Sequence, residues 1–305
     1  HSAIGREVLP MTLRELLKPY LKPFLRPVLS RYKTYRRRKL VHVIFIPTYS
    51  CQYRCPYCEV WPLVAKFKTV DPEKWLNFFN RQPPALIDST GGEPFLYEAW
   101  RELILNLSGR HRLAVTTNLA YEVSEFVDVW PRFNGVTVSF HPHSIDLEAF
   151  MAKIQELKKF QRNVGCNIVA YPDQLEKLPN YIQAIRSLGV AVHIDPYISE
   201  KYGYTPRELE LLRSARGLVE KSRRMEGFNF GDTGVLKSCD AGRRHILLLP
   251  DGSCFTCMCG FFLKPEDHSM GNVFSKEWSL RQRDIVCDVS CSCGCDLDWV
   301  KFKRA

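Results

Sequence analysis

The chain has 305 residues, 45% of them hydrophobic and 25% charged, which is enough to bury the cores of about two domains and excludes disordered and fibrous classes. Its longest apolar run, Val41 to Ile46, contains His42 and falls far short of the roughly 20 residues a membrane-spanning helix needs. Residues 1 to 40 carry +9 of the net charge of +10, leaving +1 on the rest, so basicity belongs to an arm and does not mark the body as a nucleic-acid binder.

The chain opens on His1-Ser2 without Met or an apolar signal core. Those two residues read as a foreign remnant and the protein as cytoplasmic. In the arm, residues 1–40, leucines and Phe24 interleave with Arg14, Lys18, Lys22, Arg26 and Arg31. Pro19, Pro23 and Pro27 each remove an interior helical hydrogen bond, so a continuous helix is not expected beyond them. Ending in Arg36-Arg37-Arg38-Lys39, this amphipathic element suits peripheral contact with an anionic membrane, a lipid-like substrate or an acidic peptide, or partial packing on the body.

From residue 41 to 221 short apolar or β-branched runs alternate with helical stretches. Candidate strands are Val41 to Pro47, Ala85 to Ser89, Leu113 to Thr117, Val136 to Phe140, Gly165 to Ala170 and Val190 to Asp195. Between them Trp100 to Ser108, Leu147 to Phe160 and Gln174 to Leu188 have helical periodicity, with Phe150, Ile154 and Leu157 on one face. The expected fold class is α/β, a partial (β/α)6 TIM-like barrel with its chemistry at the carboxyl ends of the strands. From 222 to 305 a small Cys-rich domain is expected. It opens with a hairpin in which Ile246 to Leu249 and Cys254 to Met258 flank a turn at Asp251-Gly252.

In a reducing compartment the 12 cysteines point to metal or thiol chemistry rather than disulfides. Cys166 stands alone in an apolar run and reads as a small buried hydrophobe. Cys51-x3-Cys55-x2-Cys58 follows the first strand, and three thiolates so spaced hold three corners of a cubane iron–sulfur cluster and leave one iron open. Structural zinc, the competing reading, wants a fourth nearby ligand. The second strand runs into Gly91-Gly92-Glu93-Pro94, where the glycines let backbone approach a ligand closely and an ionised Glu accepts bonds from an ammonium.

Together these features resemble the radical S-adenosylmethionine superfamily. Tyr57 matches the aromatic residue before the third cysteine, and Gly91, Gly92, Glu93 and Pro94 match the motif that holds the cofactor's methionine amino group. The resemblance puts Asn118 and Ser139 at polar contacts to the cofactor's carboxylate and ribose, and Asp195 near its adenine. Where many relatives read Ser-x-Asp after strand four, this chain has Ser139-Phe140-His141-Pro142-His143. His141 and His143 then lie at the open mouth of the barrel, either as surface or capping residues or as groups for substrate binding or proton transfer.

Cys239-x12-Gly252-x4-Cys257 resembles the opening of the SPASM and twitch extensions of the same superfamily. The rest of the SPASM spacing is missing; the chain offers Cys287-x3-Cys291-x-Cys293-x-Cys295 instead. The expectation is one auxiliary 4Fe-4S cluster held by Cys239, Cys257 and two of Cys287, Cys291, Cys293 and Cys295, with a four-Cys zinc site as the alternative. On an extended second hairpin strand Cys257 and Cys259 share a face and Cys254 takes the other. Cys259 is thereby a ligand or a hydrogen-atom donor, and Cys254 packing.

What the resemblance implies is an oxygen-sensitive enzyme with S-adenosylmethionine and two 4Fe-4S clusters, reduced by a flavodoxin- or ferredoxin-type donor. It would cleave the cofactor to a 5′-deoxyadenosyl radical and abstract hydrogen from a peptide, lipid or sugar-derived substrate, ending in oxidation, bond formation or epimerisation. A metal-stabilised nucleic-acid-binding protein is the non-enzymatic alternative; it accounts for the cysteines and the arm but not for the Gly-Gly-Glu-Pro turn.

Overall fold

A computed structural model describes residues 40–58, 60–197, 203–219, 237–287 and 303–304. The chain divides into two compact units, His1–Leu40 and Val41–Ala305. The arm therefore lies outside the described residues, as do Cys291, Cys293 and Cys295. Among the described residues no helix is long and apolar enough to cross a membrane.

Six parallel strands run in sequence order: β1 (Val41–Phe45), β2 (Ala85–Ser89), β3 (Arg112–Thr117), β4 (Gly135–Phe140), β5 (Val164–Ala170) and β6 (Ala191–Pro196). Each carries alternating side chains because successive residues face opposite sides of the sheet. Val136, Val138 and Phe140 on β4 and Cys166, Ile168 and Ala170 on β5 are buried in the main core. The intervening Thr137, Ser139 and Asn167 are only half-buried. Helices cover the first face and the second is the polar inside of a partial barrel, the architecture expected from the sequence.

The covering helices are α1 (Pro72–Arg81), α2 (Trp100–Asn106), α3 (Leu147–Phe160), α4 (Leu178–Ser187) and α5 (Pro206–Gly217). Asp71 starts α1 by accepting a 2.8 Å hydrogen bond from the Glu73 N–H, with Pro72 at the position where a missing N–H costs nothing. Trp75 and Phe79 of that helix pack edge-on against Phe45. Phe150, Ile154 and Leu157 of α3 are fully buried, the face their spacing predicts. The long helix expected over Gln174 to Leu188 instead divides into a 3-10 segment, Pro172–Lys177, and α4, with Pro179 in the first turn of the latter.

The sheet does not stop at the barrel. Its order is β10-β9-β8-β1-β2-β3-β4-β5-β6, with β8 (His245–Leu248), β9 (Ser253–Phe255) and β10 (Ser269–Asn272). β8 runs parallel to β1, pairing His42 with His245 and Phe45 with Leu248; β9 and β10 are antiparallel additions. The hairpin forms around Gly252, at φ +88°, but it extends the barrel sheet across the boundary expected near residue 222. The reason is burial: all four β8 residues are buried, so this strand needs cover on both faces. A second sheet, β11-β7-β12, joins β7 (Lys237–Cys239), β11 (Ile285–Cys287) and β12 (Lys303–Arg304).

Since β8 is a central strand, the metal-free chain from Val41 onward should unfold in one transition. Leu247→Ala, at a fully buried site, should destabilise all of it by about 2–5 kcal/mol. Two separated denaturant transitions, with only one of them moved, would mean that the hairpin folds as an independent domain.

Candidate active site

Three loops meet at the carboxyl ends of β1, β2 and β3. The loop after β1 carries Cys51, Cys55 and Cys58, and a Cys58 N–H to Cys55 carbonyl bond of 3.1 Å closes a turn between the last two. The loop after β2 is pressed onto it: Gly92 N–H donates to the Thr48 carbonyl at 3.0 Å and Glu93 N–H to the Ser50 carbonyl at 2.8 Å. A Cβ on Gly92 would stand 2.2 Å from the Ser50 carbonyl oxygen, and one on Gly91, at φ +118°, would stand 2.5 Å from Ile46 Cγ2. The close approach that these glycines permit is to the cysteine loop's own backbone.

Glu93 is fully buried. Its Oε1 accepts from the Thr117 hydroxyl at 3.0 Å and the Phe95 N–H at 3.3 Å, and its Oε2 from the Asn118 N–H at 2.8 Å. One carboxylate thus ties the ends of β2 and β3 together. Burial pushes its pKa up to about 7 against the pull of those three donors. Asn118, buried beside it, directs its amide nitrogen to Cys51 Sγ at 3.5 Å. Pro94 is buried and opens the 3-10 turn Pro94–Leu96.

Cys51 and Cys55 sit where negative charge on sulfur is unfavourable. Burial raises the Cys51 thiol pKa, and Glu93, Cys55 and Cys58 push it the same way. Burial also raises Cys55, whose sulfur lies 3.9 Å from the Ser144 hydroxyl. Thiols so grouped ionise together readily only when a cation joins them. No three His, Cys, Asp or Glu side chains among the described residues converge on a single ion. A cubane cluster places each thiolate on a different iron and needs no such convergence, so three cysteines with no fourth ligand fit it better than they fit zinc.

An aromatic wall stands beside the cysteine loop. Tyr57 bonds His141 Nδ1 through its hydroxyl at 2.8 Å, and their rings stack at 6.0 Å between centroids. Tyr53 packs edge-on to the same imidazole, and Tyr171 bridges Tyr57 and Tyr197. Burial, with help from His143, lowers His141 to about 4, so it is neutral at physiological pH. His143 pairs with Asp173 at 2.9 Å. His141 is held within the wall, whereas His143 and its partner Asp173 are exposed.

Ser139 and Asp195 occupy the inner face of the barrel but are not joined to each other. Ser139 is half-buried opposite Asn167 in the β4–β5 register. Asp195 accepts from the Asn167 amide and bonds His193 Nε2 at 2.9 Å. Thr117, Asn167 and His193 were not singled out from the sequence; two-residue alternation inward from Asp195 was the signal available for His193.

Cys257 follows β9, in the part of the sheet that joins β1 on the side away from β2. Ile46, Tyr49, Leu247, Leu249 and Phe261 form one buried cluster, against which Val60, Leu63, Val64, Phe67 and Met258 pack. The chain after Cys58 and the chain around Cys257 thus share a core. The β7–β11 register pairs Cys239 with Ile285 and Lys237 with Cys287, which sets the two cysteine positions diagonally across the ladder.

One expectation fails here. β9 ends at Phe255, and Cys259 lies in the first turn of a helix, α6 (Met258–Leu263), followed by the short α7 (Pro265–His268). Strand alternation therefore does not relate Cys257 to Cys259. Cys257 caps α6, its sulfur accepting from the Gly260 N–H at 3.2 Å, and both cysteines are buried. Gly260 fits against the His268 ring, where a Cβ would meet Cγ at 2.3 Å. Cys254 and Cys166 are core residues, as expected.

No protein-family profile matches the chain. A search of curated proteins finds an uncharacterised protein of Methanothermobacter thermautotrophicus, 28% identical over 137 residues. The match covers 41% of this chain and 47% of that relative, so the chain spans about half the relative's length. Among solved structures, anSMEcpe with bound AdoMet is 16% identical, with coverage of 76% and 75% of the two chains and a TM-score of 0.54. Streptococcus suis SuiB bound to S-adenosylmethionine is 13% identical, covering 85% and 70%, with a TM-score of 0.55. The same enzyme bound to precursor peptide SuiA is 13% identical, covering 89% and 71%, also at 0.55. What this chain shares with both is the fold, a partial barrel of parallel strands covered by helices.

The burial of Glu93 has a measurable consequence. A carboxyl raised to about 7 in the folded state binds its proton more tightly than in the unfolded chain. The metal-free, cofactor-free protein should therefore lose stability as pH rises from about 4.5 to about 7 and then level off. Glu93→Gln should flatten that segment of the thermal-unfolding profile. An unchanged slope would mean that Glu93 is ionised throughout, with a cationic partner.

Proposed function

We propose that this protein is a radical S-adenosylmethionine enzyme acting on a peptide. The observation that carries the reading is the joining of the three-cysteine loop to the Gly-Gly-Glu-Pro turn at the carboxyl end of a partial barrel. The group bound there would supply one-electron reductive cleavage of S-adenosylmethionine and, through it, removal of a hydrogen atom from a substrate carbon.

The chain's own residues divide that task. Cys51, Cys55 and Cys58 would hold a 4Fe-4S cluster with one iron open to the cofactor. Gly91, Gly92, Glu93 and Pro94 fix the loop beside it, and Tyr57, Ser139 and Asp195 would contact the nucleoside. The aromatic wall around Tyr57 would limit water at that end of the barrel once the cofactor is bound. A polar inner face with Asn167, His193 and Asp195 suits the amides and hydroxyls of a peptide better than an acyl chain. SuiB, which shares the fold, is bound to a precursor peptide in one of its structures.

Cys239, Cys257 and two of Cys287, Cys291, Cys293 and Cys295 would hold an auxiliary 4Fe-4S cluster, a place for the electron left by an oxidised substrate. Oxidation or bond formation is the outcome this favours. The hydrogen-donor role of Cys259 rested on strand alternation and is not part of the proposal. A flavodoxin- or ferredoxin-type protein would supply electrons, and the basic arm would carry contact with an anionic surface.

Anaerobic protein should contain about eight irons, two cubanes, and on reduction should convert S-adenosylmethionine to 5′-deoxyadenosine and methionine. Replacing Cys51, Cys55 and Cys58 with Ala should remove about half the iron and all of that cleavage. Stoichiometric zinc with little iron, or a reduced iron-loaded protein that leaves S-adenosylmethionine intact, would refute the reading.

A further inference from the structure

Asn118 leaves the sheet immediately after β3, ahead of Leu119, which adopts a left-handed φ of +53°. The Asn118 backbone N–H bonds Glu93 Oε2 at 2.8 Å, the side-chain Oδ1 accepts from the Ala120 N–H at 2.9 Å, and Nδ2 points to Cys51 Sγ at 3.5 Å. The Ala120 bond settles which end of the amide is oxygen, since a flipped amide would set an NH2 against a backbone N–H. Asn118 is 5% exposed, and Cys51 is half-buried beside it. The Tyr53 backbone N–H also favours negative charge on the Cys51 sulfur, while Glu93, Cys55 and Cys58 oppose it.

From this geometry we infer that Asn118 is a positioning residue that sets the reduction potential of the front iron–sulfur cluster by donating an N–H···S hydrogen bond to Cys51. The inference rests on the proposed cluster at Cys51, Cys55 and Cys58. Donors to cluster sulfurs stabilise the more negative, reduced state and raise the potential. The couple takes up one electron from an external reductant, with no bond formed or broken and no proton transferred at Asn118. The role differs from the cofactor-carboxylate contact that the resemblance implies for this position: the amide acts through the metal ligand, whether or not cofactor is bound.

The test is a redox titration of the full anaerobic chain with dithionite and mediators, without S-adenosylmethionine. It follows the electron paramagnetic resonance signal that is missing when Cys51, Cys55 and Cys58 are all replaced with Ala. Asn118→Asp keeps the oxygen that caps Ala120 but replaces the donor with a carboxylate oxygen; Asn118→Ala removes both. Both should shift the midpoint to more negative values, the Asp variant further, while the potential of the auxiliary cluster stays put. An unshifted midpoint in variants that retain the wild-type unfolding temperature would overturn the inference and leave the cluster reading standing. Should neither variant assemble a cluster, wild-type protein labelled with 15N only at asparagine decides: the reduced front cluster should show a 15N coupling, and its absence refutes the bond. Wild-type protein with no reducible cluster would sink the reading, and this inference with it.

Discussion

Two backbone hydrogen bonds, Gly92 N–H to the Thr48 carbonyl and Glu93 N–H to the Ser50 carbonyl, hold the rest of the site in place. They exist only because residues 91 and 92 lack a Cβ, and they fix the loop that presents Cys51 relative to β2. Glu93 then extends the connection to β3 through Thr117 and Asn118, and Asn118 returns it to the Cys51 sulfur. The result is a closed circuit of short contacts through three strand ends. Its core is a carboxylate buried at a cost that its three donors offset only in part.

The barrel was legible because its code is local. Period-two alternation in Val136 to Phe140 and Gly165 to Ala170, and the spacing of Phe150, Ile154 and Leu157, fix strand and helix faces without knowledge of any partner. The front site was legible for a similar reason, since its residues fall at strand ends in two short segments. Glu93's partners were less so. Thr117 and Asn118 reach it across 24 and 25 residues of sequence, a relation that only the pairing of β2 with β3 creates.

The back half was harder to read because its partners are remote. His245–Leu248 is buried at every position, with Ile246, Leu247 and Leu248 apolar, as a strand covered on both faces is. Its partner β1 lies about two hundred residues earlier, as the 203-residue separation of His42 and His245 shows. No local feature encodes that register. Cys257 as a helix cap was hidden as well, since cysteine is not among the residues that ordinarily signal a helix start. Placing β8 beside β1 brings the chain after Cys58 and the chain around Cys257 onto one apolar cluster.

The proposed function requires an iron–sulfur cluster at the carboxyl end of the barrel and places a second at Cys239 and Cys257. Diffraction from anaerobically grown crystals, recorded on both sides of the iron absorption edge, tests it directly. The account predicts one compact anomalous peak bonded to the sulfurs of Cys51, Cys55 and Cys58, with no fourth protein ligand, and a second bonded to Cys239 and Cys257. A signal that appears at the zinc edge instead, or iron bound away from the first three cysteines, would contradict it.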